Sequence, residues 1–147
     1  MCACEKDIPI KLGPCGFKDC GVAWDDGAHQ KIEKIVISYT DYFINSIQAV
    51  YRDGENNLIT VTNPIMRIEG CTGYHSGPGI NFLQFFSNVG SYGSFGRNIV
   101  QGASGNFKFE SDVGITGFHG TCHSGRLHSL GVYISSSAKK HLANSSK

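Results

Sequence analysis

The sequence predicts an all-β domain on three observations. Apolar residues recur with a period of two, helical periodicity is nearly absent, and turn-forming residues break the chain at short intervals. Ile8, Ile10 and Leu12 alternate with Pro9 and Lys11, and Ile35, Ile37 and Tyr39 alternate with Val36 and Ser38. Ile47, Ala49 and Tyr51 follow the same rule, as do Phe107 and Phe109 between Asn106, Lys108 and Glu110. Such β-branched and aromatic segments suit strands with one buried face. Residues 80–86 are apolar on both faces and are expected to form a strand sandwiched within the core. The turn signals are Asp26-Gly27, Asp53-Gly54-Glu55-Asn56-Asn57, Asn63-Pro64, Ser76-Gly77-Pro78-Gly79 and Ala103-Ser104-Gly105. Many short strands at short spacing mean a sandwich, a barrel or a prism.

Composition narrows the function. At 147 residues the chain fits one domain, and 40% hydrophobic against 17% charged residues excludes a disordered or coiled-coil chain. The 19 glycines have no collagen period and are expected at turns, bulges and close backbone approaches. A net charge of +1 without a Lys/Arg cluster argues against nucleic acid as a partner. No apolar stretch approaches the roughly 20 residues of a spanning helix, so membrane insertion is not expected. Met1-Cys2-Ala3-Cys4-Glu5-Lys6-Asp7 lacks the apolar centre of a signal peptide, so a cytoplasmic or nucleocytoplasmic setting is expected. The six cysteines are then expected as free thiols, with Cys15 and Cys20 the pair to test first for a bridge. The Asn144-Ser145-Ser146 sequon would go unused. The domain is placed at 8–134, with an N-terminal extension over 1–7 and a Ser/Lys/Asn-rich, fraying tail over 135–147.

A short motif repeats. Gly13-Pro14-Cys15-Gly16, Gly90-Ser91-Tyr92-Gly93 and Gly117-Phe118-His119-Gly120 each carry glycines three apart at what reads as the end of a strand. Three such ends suggest pseudo-threefold construction from similar sheets.

Several side-chain groups invite chemical readings. His119, Cys122, His123 and His128 crowd one stretch and offer zinc-type ligands, but no CxxC or HxxxH frame exists, so neither metal nor cofactor is expected. Cys2-x-Cys4 adds nothing to that. Cys122 with His123 or His128 is the one nucleophilic pair available, and it lacks a readable orienting group or pocket; no enzyme is expected. Asp25-Asp26 reads as a turn, because adjacent carboxylates on a strand point to opposite faces. Trp24 reads as a core or end-cap residue, and Phe85-Phe86 as core.

Four stretches in order resemble the jacalin-related lectin family over about residues 8–134. Gly13-Pro14-Cys15-Gly16 leads to Gly21-Val22-Ala23-Trp24-Asp25-Asp26-Gly27, similar to the family's Gly-Pro opening and its aromatic-Asp-Asp-Gly turn. Ile44-Asn45-Ser46-Ile47-Gln48-Ala49-Val50-Tyr51 resembles an Ile-x-Ser-Ile-x-Val-x-Tyr strand followed by an Asp-Gly turn at Asp53-Gly54. Gly90-Ser91-Tyr92-Gly93-Ser94-Phe95-Gly96 matches a Gly-x-Tyr-Gly-x-Phe-Gly turn. Gly117-Phe118-His119-Gly120 and then Leu127-His128-Ser129-Leu130-Gly131-Val132-Tyr133-Ile134 resemble the closing pattern that ends Leu-Asp-x-Ile-Gly-Val-Tyr.

The resemblance implies a β-prism I fold of three four-stranded Greek-key sheets with pseudo-threefold symmetry. It also implies glycan partners, a homo-oligomer, and a shallow sugar site at one end of the prism. Carried over by position, that site comprises Gly21 and the loop Ser124-Gly125-Arg126-Leu127-His128. The amides of Gly125, Arg126 and Leu127 would donate to sugar hydroxyls, Tyr74 or His75 would pack alongside, and Gly77 and Pro78 would form the flanking second loop. The uncut stretch around Gly21 leans toward mannose/glucose rather than galactose. The chain departs from the pattern at His128, where the family's sugar binders carry Asp. Imidazole offers one acceptor where a carboxylate offers two oxygens. The loops over 13–27 and 120–127 are each one residue longer than the pattern. These departures leave two readings: a mannose/glucose-type lectin, or a module of the same fold used for protein interaction or assembly.

Overall fold

The structure, a computed structural model, describes residues 8–53, 64–74, 77–97 and 103–135. Ten strands make up these residues: β1 (Ile10–Gly16), β2 (Val22–Asp25), β3 (Lys31–Tyr39), β4 (Ile44–Arg52), β5 (Ile65–Tyr74), β6 (Pro78–Ser87), β7 (Ser91–Gly96), β8 (Ala103–Glu110), β9 (Ile115–His123) and β10 (Arg126–Ile134). All pairings are antiparallel. Two sheets have four strands, in the orders β1-β10-β9-β2 and β7-β6-β5-β8, and β3 pairs with β4 as a third. In the β7-β6-β5-β8 sheet, three successive strands are followed by a fourth that returns beside the first, which is a Greek key. The β1-β10-β9-β2 sheet has the same order if the chain is followed from β10 on into β1, so the first and last described strands pair in one sheet. That shared order is the pseudo-symmetry the repeated motif suggested, though the β3–β4 sheet shows only two strands among the described residues.

Alternation does the folding work. Each sheet turns one row inward: Ile44 from the β3–β4 sheet, Ile68, Ile80, Leu83, Phe85 and Phe109 from the second four-stranded sheet, and Ile115, Phe118, Leu127, Leu130, Val132 and Ile134 from the first. Ile80 and Asn81 are buried at consecutive positions, but residues 82–86 do not have two buried faces. Ile80, Leu83 and Phe85 are buried, whereas Phe82, Gln84 and Phe86 are half-buried, and the Arg67 guanidinium lies over the Phe86 ring at 4.0 Å. An aromatic covered by a guanidinium counts as apolar in the sequence yet sits on the outer face. Trp24 packs against the core from β2.

Two further expectations are corrected. Ala103-Ser104-Gly105 is not a turn but the start of β8. The repeated glycine motif does not mark strand ends throughout: Gly90-Ser91-Tyr92-Gly93 opens β7, and Gly117-Phe118-His119-Gly120 lies inside β9. The glycines of β9 serve close approach instead. A Cβ at Gly117 would stand 2.0 Å from the Gly27 carbonyl oxygen, and one at Gly120 2.2 Å from that of Ser129. Among the described cysteines, Cys15, Cys20, Cys71 and Cys122 are free thiols. Cys2, Cys4, the sequon and most of the tail lie outside the described residues.

The pole where β2 ends is closed by the acidic turn. Asp25 accepts from the Lys11 ammonium at 2.8 Å and from the Tyr133 hydroxyl at 2.7 Å, and its Oδ1 also takes the Gly27 N–H. Burial pushes the Asp25 carboxyl up, but these donors outweigh it and hold it at about 2. Asp26 points elsewhere and accepts from the Tyr51 hydroxyl at 2.7 Å. The two carboxylates therefore diverge, as strand geometry requires, and do not form an acid/base pair. Tyr51 is stacked on His29 with ring centroids 3.9 Å apart, and His29 Nδ1 is 2.7 Å from Asp53 Oδ2. Tyr51→Phe removes the hydroxyl and is expected to cost about 1 kcal/mol of stability, read as a lowered midpoint in urea at unchanged slope.

Candidate functional site

The opposite pole gathers the hairpin between β9 and β10. The turn needs only two residues, Ser124 and Gly125, with φ of 51° and 73°. Two successive positive φ values are the type I′ hairpin, whose twist matches that of the strands. The expected loop 124–128 is therefore a two-residue turn followed by the first three residues of β10. Gly125 is open, since a Cβ there would meet nothing within 4 Å.

Gly21 comes to this hairpin. It precedes β2, which pairs with β9 through Val22 and Cys122, and its φ is +88°. A side chain would not fit, because a Cβ would lie 2.5 Å from the Cys122 carbonyl oxygen and 2.9 Å from the His123 Cβ. The structure thus brings Gly21 against the 122–125 hairpin, where main-chain groups from two segments share one shallow surface. Gly77 and Pro78 flank it from the β5–β6 side. Arg126 makes that link, since its NH1 donates to the Gly77 carbonyl at 3.4 Å and a Cβ at Gly77 would meet the same atom. Tyr74 ends β5 opposite Pro78, and His75 lies outside the described residues.

Arg126, Leu127 and His128 do different things. The Arg126 guanidinium lies over the Phe43 ring, 3.8 Å from its centroid, and its side chain is held there rather than reaching over the turn. Leu127 is 1% exposed and its side chain belongs to the core, which leaves only its main chain to serve a ligand. His128 is 3% exposed. It is the extra residue of a bulge, since Leu127 pairs with Cys122 and Ser129 with Thr121, leaving His128 between them. The stretch after β1 covers it: the Phe17 N–H donates to the His128 carbonyl at 3.0 Å, and the Cys20 backbone bonds the imidazole. Nδ1 is buried and has no hydrogen-bond partner among the described residues. Burial first, then the neighbouring His123 and Arg126, push the imidazole below its usual range, so the ring is neutral at pH 7.

Sequence reasoning missed Phe17, Phe43 and Asn45. Asn45 Nδ2 donates to the Gly125 carbonyl at 2.9 Å and so ties β4 to the turn. The Ile44-Asn45-Ser46-Ile47 motif contained it, but only as an unspecified position of a strand. The other chemical groupings disperse. His119 Nε2 lies 2.9 Å from the Leu12 carbonyl oxygen, deep in the first sheet, while Cys122 is exposed at the strand end. The His123 and His128 rings are 6.0 Å apart, edge to face. Among the described residues no three His, Cys, Asp or Glu side chains are grouped to hold a metal ion.

An all-β prism with a shallow, main-chain-lined pole has the architecture of a lectin-type module. The family model described as the Jacalin-like lectin domain matches residues 12–133, and the chain belongs to that family. Jacalin-related lectin 2 of Arabidopsis thaliana is 30% identical over 157 residues, covering 85% of each chain. Protein RESTRICTED TEV MOVEMENT 1 of the same plant is 29% identical over 150 residues, covering 85% of this chain and 86% of its own. Single-chain recombinant jacalin superposes with a TM-score of 0.74 at 26% identity, covering 90% of this chain and 98% of its own. Artocarpin in complex with mannotriose does so with a TM-score of 0.71 at 24% identity, covering 84% and 95%.

Proposed function

We propose that the protein binds mannose/glucose-type glycans through one shallow site formed by Gly21, the main chain of Gly125, Arg126 and Leu127, and His128. The observation that carries this is the seat of Gly21, which no side chain could share, directly against the Cys122–Gly125 hairpin. Exposed main chain at two glycines lets a sugar come within hydrogen-bonding distance of backbone amides. A neutral imidazole whose second nitrogen is bonded to the Cys20 backbone leaves the buried Nδ1 as an acceptor lacking a donor, which a sugar hydroxyl supplies if the overlying segment from Phe17 to Cys20 gives way. The artocarpin relative, crystallised with mannotriose, supports the sugar class. Free thiols at the four described cysteines support a cytoplasmic or nucleocytoplasmic setting, and exposed edge strands such as β2, with Val22 68% exposed, support a homo-oligomer.

Isothermal titration with methyl α-mannoside, α-glucoside and α-galactoside tests the site. Binding of the first two at millimolar Kd, with galactoside weaker, is expected. No heat at any sugar up to tens of millimolar would remove the glycan reading. A second reading, a protein-interaction or assembly module of the same fold, is favoured by the burial of His128 beneath the segment from Phe17 to Cys20, which puts its Nδ1 out of reach of solvent.

A further inference from the structure

Two arginines stand on consecutive aromatic rings beside the Gly125 turn. The Arg97 guanidinium lies over the Tyr42 ring, 4.6 Å from its centroid, next to the Arg126–Phe43 stack at 3.8 Å. Both rings belong to the β3–β4 hairpin, whose shape is fixed by Thr40. Its hydroxyl accepts the N–H groups of Tyr42 and Phe43, each at 3.2 Å, while its own N–H donates to the Phe43 carbonyl at 2.9 Å. The buried Asn81 holds Arg97 to this hairpin. Its Nδ2 donates to the Tyr42 carbonyl at 3.1 Å, and its own carbonyl accepts the Arg97 N–H at 2.9 Å. Asn45, two residues past Phe43, carries the connection on to the Gly125 carbonyl. Tyr42, Arg97 and the sugar pole are therefore parts of one face of the prism.

Arg97 differs from Arg52 and Arg67. Arg52 pairs with Glu33 and Arg67 with Glu69, whereas Arg97 is exposed and forms no ion pair with any described carboxylate, its hairpin neighbour Asp41 included. A guanidinium over an aromatic ring leaves its N–H groups available to other partners, and their fork matches a planar carboxylate. A neutral sugar cannot use such a fork fully, but a uronic acid can.

We propose that the Tyr42–Arg97 face, flanked by Arg126, is a second subsite that takes the carboxylate of a uronic acid residue linked to the sugar held at Gly21 and Gly125. This rests on the glycan reading above and extends it from a monosaccharide to an acidic oligosaccharide. An exposed cation acts over short range and is screened by salt.

The test compares two disaccharides, glucosyl-α-mannoside and glucuronosyl-α-mannoside, which differ only in a carboxylate at C6. The full chain is titrated with each at about 20 mM and at about 0.5 M salt, in the wild type and in Arg97→Gln. One charge-assisted pair at an exposed site is expected to tighten the glucuronosyl ligand on the order of fivefold at low salt. That advantage is expected to shrink at high salt and to vanish in Arg97→Gln, while the glucosyl ligand binds wild type and variant equally. Equal binding of both ligands by the wild type overturns the subsite alone. So does an acidic advantage that survives Arg97→Gln, with thermal melts confirming that the variant is folded. Failure of both ligands to bind removes the glycan reading and the subsite together.

Discussion

Gly131→Ala is expected to cost about 3 kcal/mol of stability and, for a chain of this size, to lower the melting temperature by about 10 °C. Gly131 sits in the middle of β10, the strand flanked by β1 and β9, where a Cβ would stand 2.2 Å from the His119 ring and 2.5 Å from the Leu12 carbonyl oxygen. His119 lies across the glycine because its Nε2 is 2.9 Å from that same Leu12 oxygen and its ring meets Tyr133 edge to face at 5.3 Å. A methyl group must therefore evict the imidazole, losing its hydrogen bond, and still crowd the backbone of β1. Differential scanning calorimetry of Gly131→Ala and of the double variant with His119→Ala separates the two contributions. Removing the ring should recover part of the loss and never all of it, because the Leu12 oxygen stays. A Gly131→Ala melt within 2 °C of wild type would show that β1 and β10 are not held this close.

The glycine and its neighbour show where the sequence was legible and where it was not. Ile35, Ile37, Ile47 and Phe109 announced their strands because period-two burial leaves its mark within a few residues. The Gly-Val-Tyr ending announced β10 by a different route, its resemblance to the family's closing pattern. The sequence could not announce that Gly117, Gly120 and Gly131 are strand-interior contacts, because what crowds them is backbone from Gly27, Ser129 and Leu12, brought by pairing across the sheet. Strand-ending glycines and strand-interior glycines look alike until the register is known. The same holds at the candidate site. Gly21 and the 124–128 stretch were named through the family pattern, yet that His128 lies inside a bulge and beneath the segment from Phe17 to Cys20 depends on contacts more than 100 residues apart in the chain. Asn45 and Phe43 went unnoticed because a polar or aromatic residue at a strand entry has no signature until its partners, Gly125 and Arg126, arrive from the far end.

Acid titration bears on the same residues. The imidazoles of His119 and His128 are both pushed below their usual range, burial being the first cause for each. A histidine whose folded pKa is depressed takes up protons more readily when unfolded. Its contribution to stability is therefore present above about pH 6.5 and is lost as pH falls from there toward the folded value. His29 runs the other way. Burial lowers it, but Asp53 and the Asp26 carbonyl outweigh that and raise it, so its contribution is present in acid and lost as pH rises past the folded value. The Asp25 cluster, held at about 2, persists through this range.

His128 is where the two functional readings part, and its substitution carries the largest expected effect on binding. In His128→Asp a carboxylate takes the place of the single imidazole acceptor, and the gain of one charge-assisted hydrogen bond is worth roughly 1.5–3 kcal/mol, or about tenfold to a hundredfold in mannoside affinity. The same change places a charge at a position that is 3% exposed and removes the imidazole's bond to the Cys20 backbone, so a loss of about 2 kcal/mol in stability should accompany it. His128→Phe keeps the bulk and removes the acceptor. It is expected to weaken mannoside binding at least tenfold and, because it too loses the bond to the Cys20 backbone, to lower the melting temperature by a few degrees. A wild type that binds mannoside less well at pH 5 than at pH 7.5, by an amount absent from His128→Phe, would tie the acceptor to Nδ1 itself, since protonation consumes that lone pair. If the wild type is silent toward every sugar and His128→Asp alone binds, the site has been given up and the interaction-module reading holds. If neither binds, the pole formed by Gly21 and Gly125 does not read sugars, whatever stands at position 128.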